Sequence, residues 1–85
     1  MFTGLVEAIG SVVSLESKGE QARLLLEIPF ASELAPGDSV AVNGCCLTVS
    51  ELLPHGAAFD LLGQTLHVTS LGGLTRKSSV NLERA

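Results

Sequence analysis

The chain has 85 residues, of which 46% are hydrophobic and nine are glycine, and its formal net charge is −4 at pH 7. That length holds one compact domain, expected over 1–85, and the apolar content excludes a disordered segment. The five cations, Lys18, Arg23, Arg76, Lys77 and Arg84, form no stripe, and Trp and Tyr are absent, so nucleic acid is not an expected partner.

No stretch approaches the ~18 apolar residues of a membrane helix, and no membrane partner is expected. No cation precedes Lys18, which leaves a secretory signal without its positive start. A cytoplasmic location is the expectation. Cys45 and Cys46 are adjacent, and neighbours in a strand point to opposite faces, so a disulfide between them would be strained. Reduced thiols fit, and no second pair supplies metal ligands.

The pattern in chain order is all-β. Val6 to Ser14 predicts a first strand with a bend or bulge at Gly10. Ser17, Lys18 and Gly19 turn the chain into a second strand, Ala22 to Ile28, which Pro29 stops. Ala31 to Leu34 predicts one helical turn before the Pro36-Gly37-Asp38 turn cluster. Ser39 to Val42 and Cys45 to Leu52 flank Asn43-Gly44, a hairpin signal because a type I′ turn needs positive φ at both central positions. Leu53 to Gly56 turns again, and Ala57 to Leu62 is the next strand. Thr65, Leu66, Val68 and Leu71 read as a short helix ended by Gly72 and Gly73, and Ser78 to Leu82 closes the series. Six strands with one or two short helices predict a closed antiparallel, Greek-key-like barrel, which leaves a small sheet without open edges.

Alternation sorts the most informative strand. Cys45, Leu47 and Val49 share an inward face, while Cys46, Thr48 and Ser50 share the outward one. Phe59 and Leu61 point inward, leaving Asp60 and Leu62 outside. If these strands are neighbours, Thr48 and Leu62 line a shallow external groove with an apolar wall and convergent donors and acceptors. A plainly solvated face of Thr and Ser is the open alternative. His55, in a Pro-His-Gly turn, reads as solvated, and His67, among apolar residues, as packed or half-exposed. A nucleophilic Cys46 would need a cation or helix start beside it, and none is near in sequence.

Four ordered motifs add a resemblance. Met1-Phe2-Thr3-Gly4-Leu5-Val6, Asn43-Gly44-Cys45-Cys46-Leu47-Thr48-Val49, Phe59-Asp60-Leu61 with Thr65-Leu66, and Val80-Asn81-Leu82-Glu83-Arg84-Ala85 resemble the first domain of riboflavin synthases. The resemblance implies a transferase that dismutates two molecules of 6,7-dimethyl-8-ribityllumazine. A four-carbon unit passes between them, giving riboflavin and a pyrimidinedione without metal or cofactor. It also implies subunits of two barrels, each barrel holding one lumazine, with the active site where the first barrel of one subunit faces the second of a neighbour.

Carried onto this sequence, the resemblance places lumazine or riboflavin against Gly4, Leu5 and Val6, against Cys46, Leu47 and Thr48, and against Asp60, Leu61, Leu62, Gly63, Gln64 and Thr65. Thr48 and nearby backbone groups would meet the pyrimidine edge, and Val6 and Leu62 would pack the ring. Gln64 and Thr65 would reach the ribityl hydroxyls. Cys46 and Ser39 are the catalytic candidates, and Phe2 anchors the first segment. Gln64 stands where synthases commonly carry Glu, which weakens its hydrogen bonds by removing the charge, and Gly63 beside it adds backbone freedom. A second barrel is not in this chain, so binding with little turnover is expected. A homo-oligomer is also expected, a dimer for the single barrel and a trimer for a two-barrel chain. The alternative is a stand-alone lumazine or flavin carrier.

Overall fold

The computed structural model describes residues 4–63, 65 and 70–84. Among these residues there are six strands, β1 (Ala8–Lys18), β2 (Gln21–Glu27), β3 (Ser39–Val42), β4 (Cys45–Leu53), β5 (Gly56–Leu62) and β6 (Ser79–Arg84). Two 3-10 turns, Ala31–Glu33 and Ser70–Gly73, sit in the connections before β3 and β6. The strands close into an antiparallel barrel in the order β1-β2-β5-β4-β3-β6. No helix among the described residues is long and apolar enough to cross a membrane.

Strand alternation builds the interior. Leu24 and Leu26 of β2, Val40 and Val42 of β3, Leu47 and Val49 of β4, Phe59 and Leu61 of β5, and Val80 and Leu82 of β6 are all buried. Ile28, Phe30, Ala31 and Leu34 join the same core from the first connection, and Leu71 from the second. Among the described residues the buried ones are apolar throughout, so none of them is a desolvated polar side chain in need of a partner inside.

The hairpin at Asn43-Gly44 is as the dipeptide predicts. Asn43 has φ 50° and Gly44 φ 83°, both in the region a type I′ turn demands. Several boundaries differ from the sequence reading. β1 starts at Ala8 rather than Val6 and runs to Lys18, because Ser17↔Ala22 and Lys18↔Gln21 continue its ladder with β2. The turn therefore falls on Gly19-Glu20. A bend or bulge is expected at Gly10, and the register shift of the ladder lies between Val12 and Ser14. Gly10 answers a different need, since a Cβ there would stand 2.5 Å from the Glu27 carbonyl oxygen and 2.8 Å from Leu82 Cδ1. β5 already begins at Gly56, leaving Pro54-His55 as the turn. β6 extends past Leu82 through Glu83↔Ala41 and Arg84↔Val40. Of the short helix read after Leu62, Gly63 and Thr65 are helical and Ser70–Gly73 is a 3-10 turn; the remaining positions, with His67, lie outside the described residues.

Candidate functional site

β4 and β5 are neighbours, as a shared groove requires, but they are not paired along their whole length. Their ladder runs from Leu53↔Gly56 to Val49↔Phe59 and stops there, although β4 continues back to Cys45 and β5 onward to Leu62. Each strand remains paired on its other side. Ser39↔Thr48 through Val42↔Cys45 joins β4 to β3, and Gln21↔Leu62 through Arg23↔Asp60 joins β5 to β2. The barrel wall thus opens into a cleft between Cys46–Thr48 and Asp60–Leu62. A bulge between Val49 and Glu51 marks the point where pairing fails, consistent with the local twist a bulge adds.

Backbone alternation determines what faces the cleft. The Val49 N–H donates to the Asp38 carbonyl and the Val49 carbonyl accepts from Gly37, both at 2.8 Å and both on the β3 side. Two-residue periodicity turns the amides and carbonyls of Cys46 and Thr48 the other way, toward β5. On β5, the Gly63 N–H donates to the Glu20 carbonyl at 2.6 Å on the β2 side, so Asp60 and Leu62 address their backbone groups to β4. Two short rows of alternating donors and acceptors confront each other with no ladder between them. Such rows resemble the edges of two strands, which pair readily with another donor–acceptor edge, so a flat molecule with donors and acceptors along its edges has the chemistry to match them.

The side chains follow the predicted alternation. Cys46, Thr48, Asp60 and Leu62 are exposed, Leu62 by 60%, while Leu47 and Leu61 are buried in the core. Leu47 and Leu61 therefore bring no side chain to this face, and the same periodicity turns their N–H and carbonyl groups to β3 and β2, away from the cleft. Ser39 is half-buried and pairs directly across from Thr48, so it stands on the same face. Ala41 pairs with Cys46 on one side and Glu83 on the other. Glu83 Oε1 accepts the Gly4 N–H at 3.0 Å. Gly4, Cys46 and Thr48 are thereby linked through one continuous outer surface. A hollow of about 190 Å³ lies among Gly4, Leu5, Val6, Ala41 and Glu83. Thr65 is described and half-buried, and Gly63 is tied down by its bond to Glu20. Gln64 and Phe2 lie outside the described residues.

A larger hollow, about 580 Å³, is elsewhere. Ile9, Ser11, Glu27, Ser32 and His55 line it, next to the Pro54-His55 turn and hence at the opposite end of β4 and β5. It includes none of the predicted site residues.

Electrostatics frame the cleft. Arg23 of β2 donates from Nη1 to Asp60 Oδ1 at 3.0 Å and also pairs with Glu51 of β4. These groups are solvent-exposed, so the contribution to stability is small, but the Asp60 carboxylate is held at the rim. Burial, then the neighbouring Cys46, pushes the Cys45 thiol pKa up, which keeps Cys45 protonated. Cys46 is the exposed thiol.

One cluster escapes a reading of the sequence. Arg84 pairs with Glu7 and Glu33 and lies 4.7 Å from the centre of the Phe30 ring. Its partners are 77 and 51 residues away, and no local pattern announces them. Hydrogen bonds from Arg84 hold the Glu7 carboxyl below the usual carboxylate range, and Glu7 followed by Glu33 raises the guanidinium pKa further.

Known proteins resemble this chain throughout. Residues 3–85 match the family described as the lumazine binding domain. Riboflavin synthases from Mycobacterium tuberculosis (strain H37Rv), Escherichia coli (strain K12) and Bacillus subtilis (strain 168) are 46%, 42% and 40% identical to it over 87, 87 and 86 residues. All of this chain is aligned in each case, against 43%, 41% and 40% of the relative, so the chain spans less than half the length of those synthases. Among solved structures, LumP complexed with 6,7-dimethyl-8-(1′-D-ribityl)lumazine superposes with TM-score 0.92 over 98% of this chain and 48% of its own, at 20% identity. LumP complexed with riboflavin gives TM-score 0.94 over 100% and 47%, again at 20% identity. That identity carries the fold alone. The fold, the full-length family match and the synthase relatives agree: the chain belongs to the lumazine-binding domain family.

Proposed function

We propose that this chain binds 6,7-dimethyl-8-ribityllumazine, or riboflavin, in the cleft between β4 and β5, and that it is the lumazine-binding half of a riboflavin synthase. The supporting observation is the ladder that stops at Val49↔Phe59 while both strands continue. The backbone groups of Cys46, Thr48, Asp60 and Leu62 take the donor–acceptor edge of the heterocycle, with the Thr48 hydroxyl beside them. Leu62 and Val6 cover its faces, and Thr65 with Gln64 takes the ribityl hydroxyls. Cys46 and Ser39 are the side chains nearest the reacting centre.

Dismutation moves a four-carbon unit from one lumazine to another, so two bound molecules must face each other. One barrel holds one of them. Juxtaposing the second converts a bimolecular encounter into an effectively unimolecular step, an advantage that reaches many orders of magnitude in effective concentration. Alone, the 85-residue chain binds ligand and turns over slowly or not at all, and a second copy supplies the facing barrel through an isologous contact. The other reading, a stand-alone chromophore carrier, draws on the LumP likeness. Identities of 40–46% to synthases against 20% to LumP favour the synthase half.

The test is a titration followed by the fluorescence of riboflavin or of the lumazine. The chain has no Trp or Tyr, so the signal belongs to the ligand. Binding in the micromolar range, about −8 kcal/mol, is expected. Thr48→Ala removes one hydrogen-bonding hydroxyl and weakens it by roughly three- to tenfold. Wild-type protein that binds neither compound at micromolar concentrations sinks the proposal.

A further inference from the structure

The segment before β1 is fixed at both ends and solvent-exposed in the middle. At one end the Gly4 N–H donates to Glu83 Oε1 at 3.0 Å. At the other the Glu7 N–H donates to the Leu82 carbonyl at 2.8 Å. The Glu7 carboxylate accepts from the Arg84 backbone N–H at 3.0 Å and from Arg84 Nε at 2.7 Å, and pairs with Nη2 as well. Between the anchors, Leu5 and Val6 are 73% and 56% exposed.

Arg84 is itself held. Its Nη1 donates to Glu33 Oε1 at 3.0 Å, and its guanidinium lies over the buried Phe30 ring. The planar fork serves the Glu7 carboxylate, the Glu33 carboxylate and the ring face together, which a Lys ammonium cannot do. The half-exposed pairs contribute little to global stability. Their effect is local: a terminal segment without such ties frays, whereas this one is a strap. Glu83, Ala41 and Cys46 stand in one row across β6, β3 and β4, so the strap lies about two strand spacings, roughly 10 Å, from the cleft.

We propose that Arg84 is a positioning residue of the ligand site: with Glu83 it pins the Gly4–Glu7 strap to β6, so that Leu5 and Val6 stand as an apolar wall before the ligand arrives. The inference rests on the cleft reading above and adds to it a device that pre-orders one wall. An ordered wall spares the ligand the entropy of immobilising two side chains.

Arg84→Met in the 85-residue chain, with riboflavin as the probe, tests this. Riboflavin affinity falls roughly tenfold, the equivalent of two side chains that must now be ordered on binding. Hydrogen exchange at the Glu7 amide speeds up, while the urea midpoint barely moves. Glu7→Gln reproduces both effects from the other side of the clasp and carries the test if Arg84→Met does not fold. The double variant loses little more than either single one, because the two residues act through one contact. Arg84→Lys recovers part of the affinity. Thr48→Ala weakens riboflavin while leaving the Glu7 amide protected, which separates the cleft from the strap. A folded Arg84→Met with wild-type affinity overturns the inference, as does one that binds weakly with its Glu7 amide still protected. Wild-type protein that does not bind riboflavin overturns the cleft reading and this inference with it, a failure recognised without any variant.

Discussion

β4 and β5 meet twice, in two different ways. From Val49 to Leu53 and from Gly56 to Phe59 they form an ordinary antiparallel ladder. From Cys45 to Thr48 and from Asp60 to Leu62 the same strands keep the same in–out alternation but turn to β3 and β2 and leave each other. The hydrophobic interior continues beneath both halves, with Val49 and Phe59 buried in one, Leu47 and Leu61 in the other. A barrel can therefore keep its core closed while its wall opens. The core is secured by side chains pointing inward, whereas the opening concerns backbone groups in the plane of the sheet.

Proline substitution separates the two halves most sharply, because it removes one backbone N–H. In the closed half, Ala58 is buried and pairs with Glu51, and its carbonyl accepts from Ser50 Oγ at 2.9 Å. Ala58→Pro takes a donor out of that ladder and leaves a buried acceptor unpaired, a loss of about 2–4 kcal/mol. In the open half, the Thr48 N–H faces the cleft, a placement in which sheets tolerate Pro as they do at an edge. Thr48→Pro should cost under about 1.5 kcal/mol of stability and yet abolish most riboflavin binding. Urea denaturation and ligand fluorescence read the two quantities separately. Equal destabilisation by the two variants would mean that the Thr48 amide is committed to the sheet after all, and the contrast between the halves would dissolve.

This contrast was only partly legible in the sequence. Asn43-Gly44 announces its hairpin because the turn's φ values admit few other residues. Period-two alternation puts Cys46, Thr48, Asp60 and Leu62 outside and Leu47, Val49, Phe59 and Leu61 inside, and the structure agrees. Alternation, however, says which way a side chain points, not which strand lies beside it or where a ladder ends. The stop at Val49↔Phe59 follows from closing six strands around one core, a property of the whole chain. Long-range charge pairs are invisible for the same reason. Arg84 looks like one scattered cation until β6 pairs with β1 and β3 and brings it to Glu7 and Glu33. Gly10 shows a subtler limit: glycine in a strand serves a bend, a bulge or a close backbone approach equally well, and only its neighbours, Glu27 and Leu82, show that close approach applies here.

The adjacent cysteines sharpen the comparison from inside to outside at the cleft itself. Cys46 is exposed on the outer face, and Cys45 is half-buried against the core with its thiol pKa pushed up by burial. Since the thiolate is the reacting species, iodoacetamide at pH 8 should alkylate Cys46 several-fold faster than Cys45, as peptide mass spectrometry will show. Riboflavin in the cleft should slow the reaction at Cys46 and leave Cys45 unchanged. Protection of Cys45 alone would place the ligand on the wrong side of the wall.

The smallest expected effect concerns the strap, and its sign follows from the Glu7 carboxyl. Arg84 favours the charged form of Glu7 in the folded chain, so its pKa lies below the unfolded value of ~4.3. A depressed carboxylate pKa contributes stability that is fully present above the unfolded value and is lost as pH falls through the folded one. Glu33 shares Arg84 and Glu83 holds the Gly4 amide, so several acids face this corner and Glu7 supplies only part of its acid sensitivity. Because the pair is half-exposed, screening keeps the contribution modest. Urea midpoints of wild type should therefore decline a little more steeply below pH 5 than those of Glu7→Gln, and the two should run parallel above it. The strap should respond more than the fold, with the Glu7 amide exchanging faster relative to the core amides as the carboxyl protonates. A wild-type strap that stays equally protected once the Glu7 carboxyl has protonated, as carboxyl NMR reports, would show that the Glu7–Arg84 clasp does not order it, however close the two side chains lie.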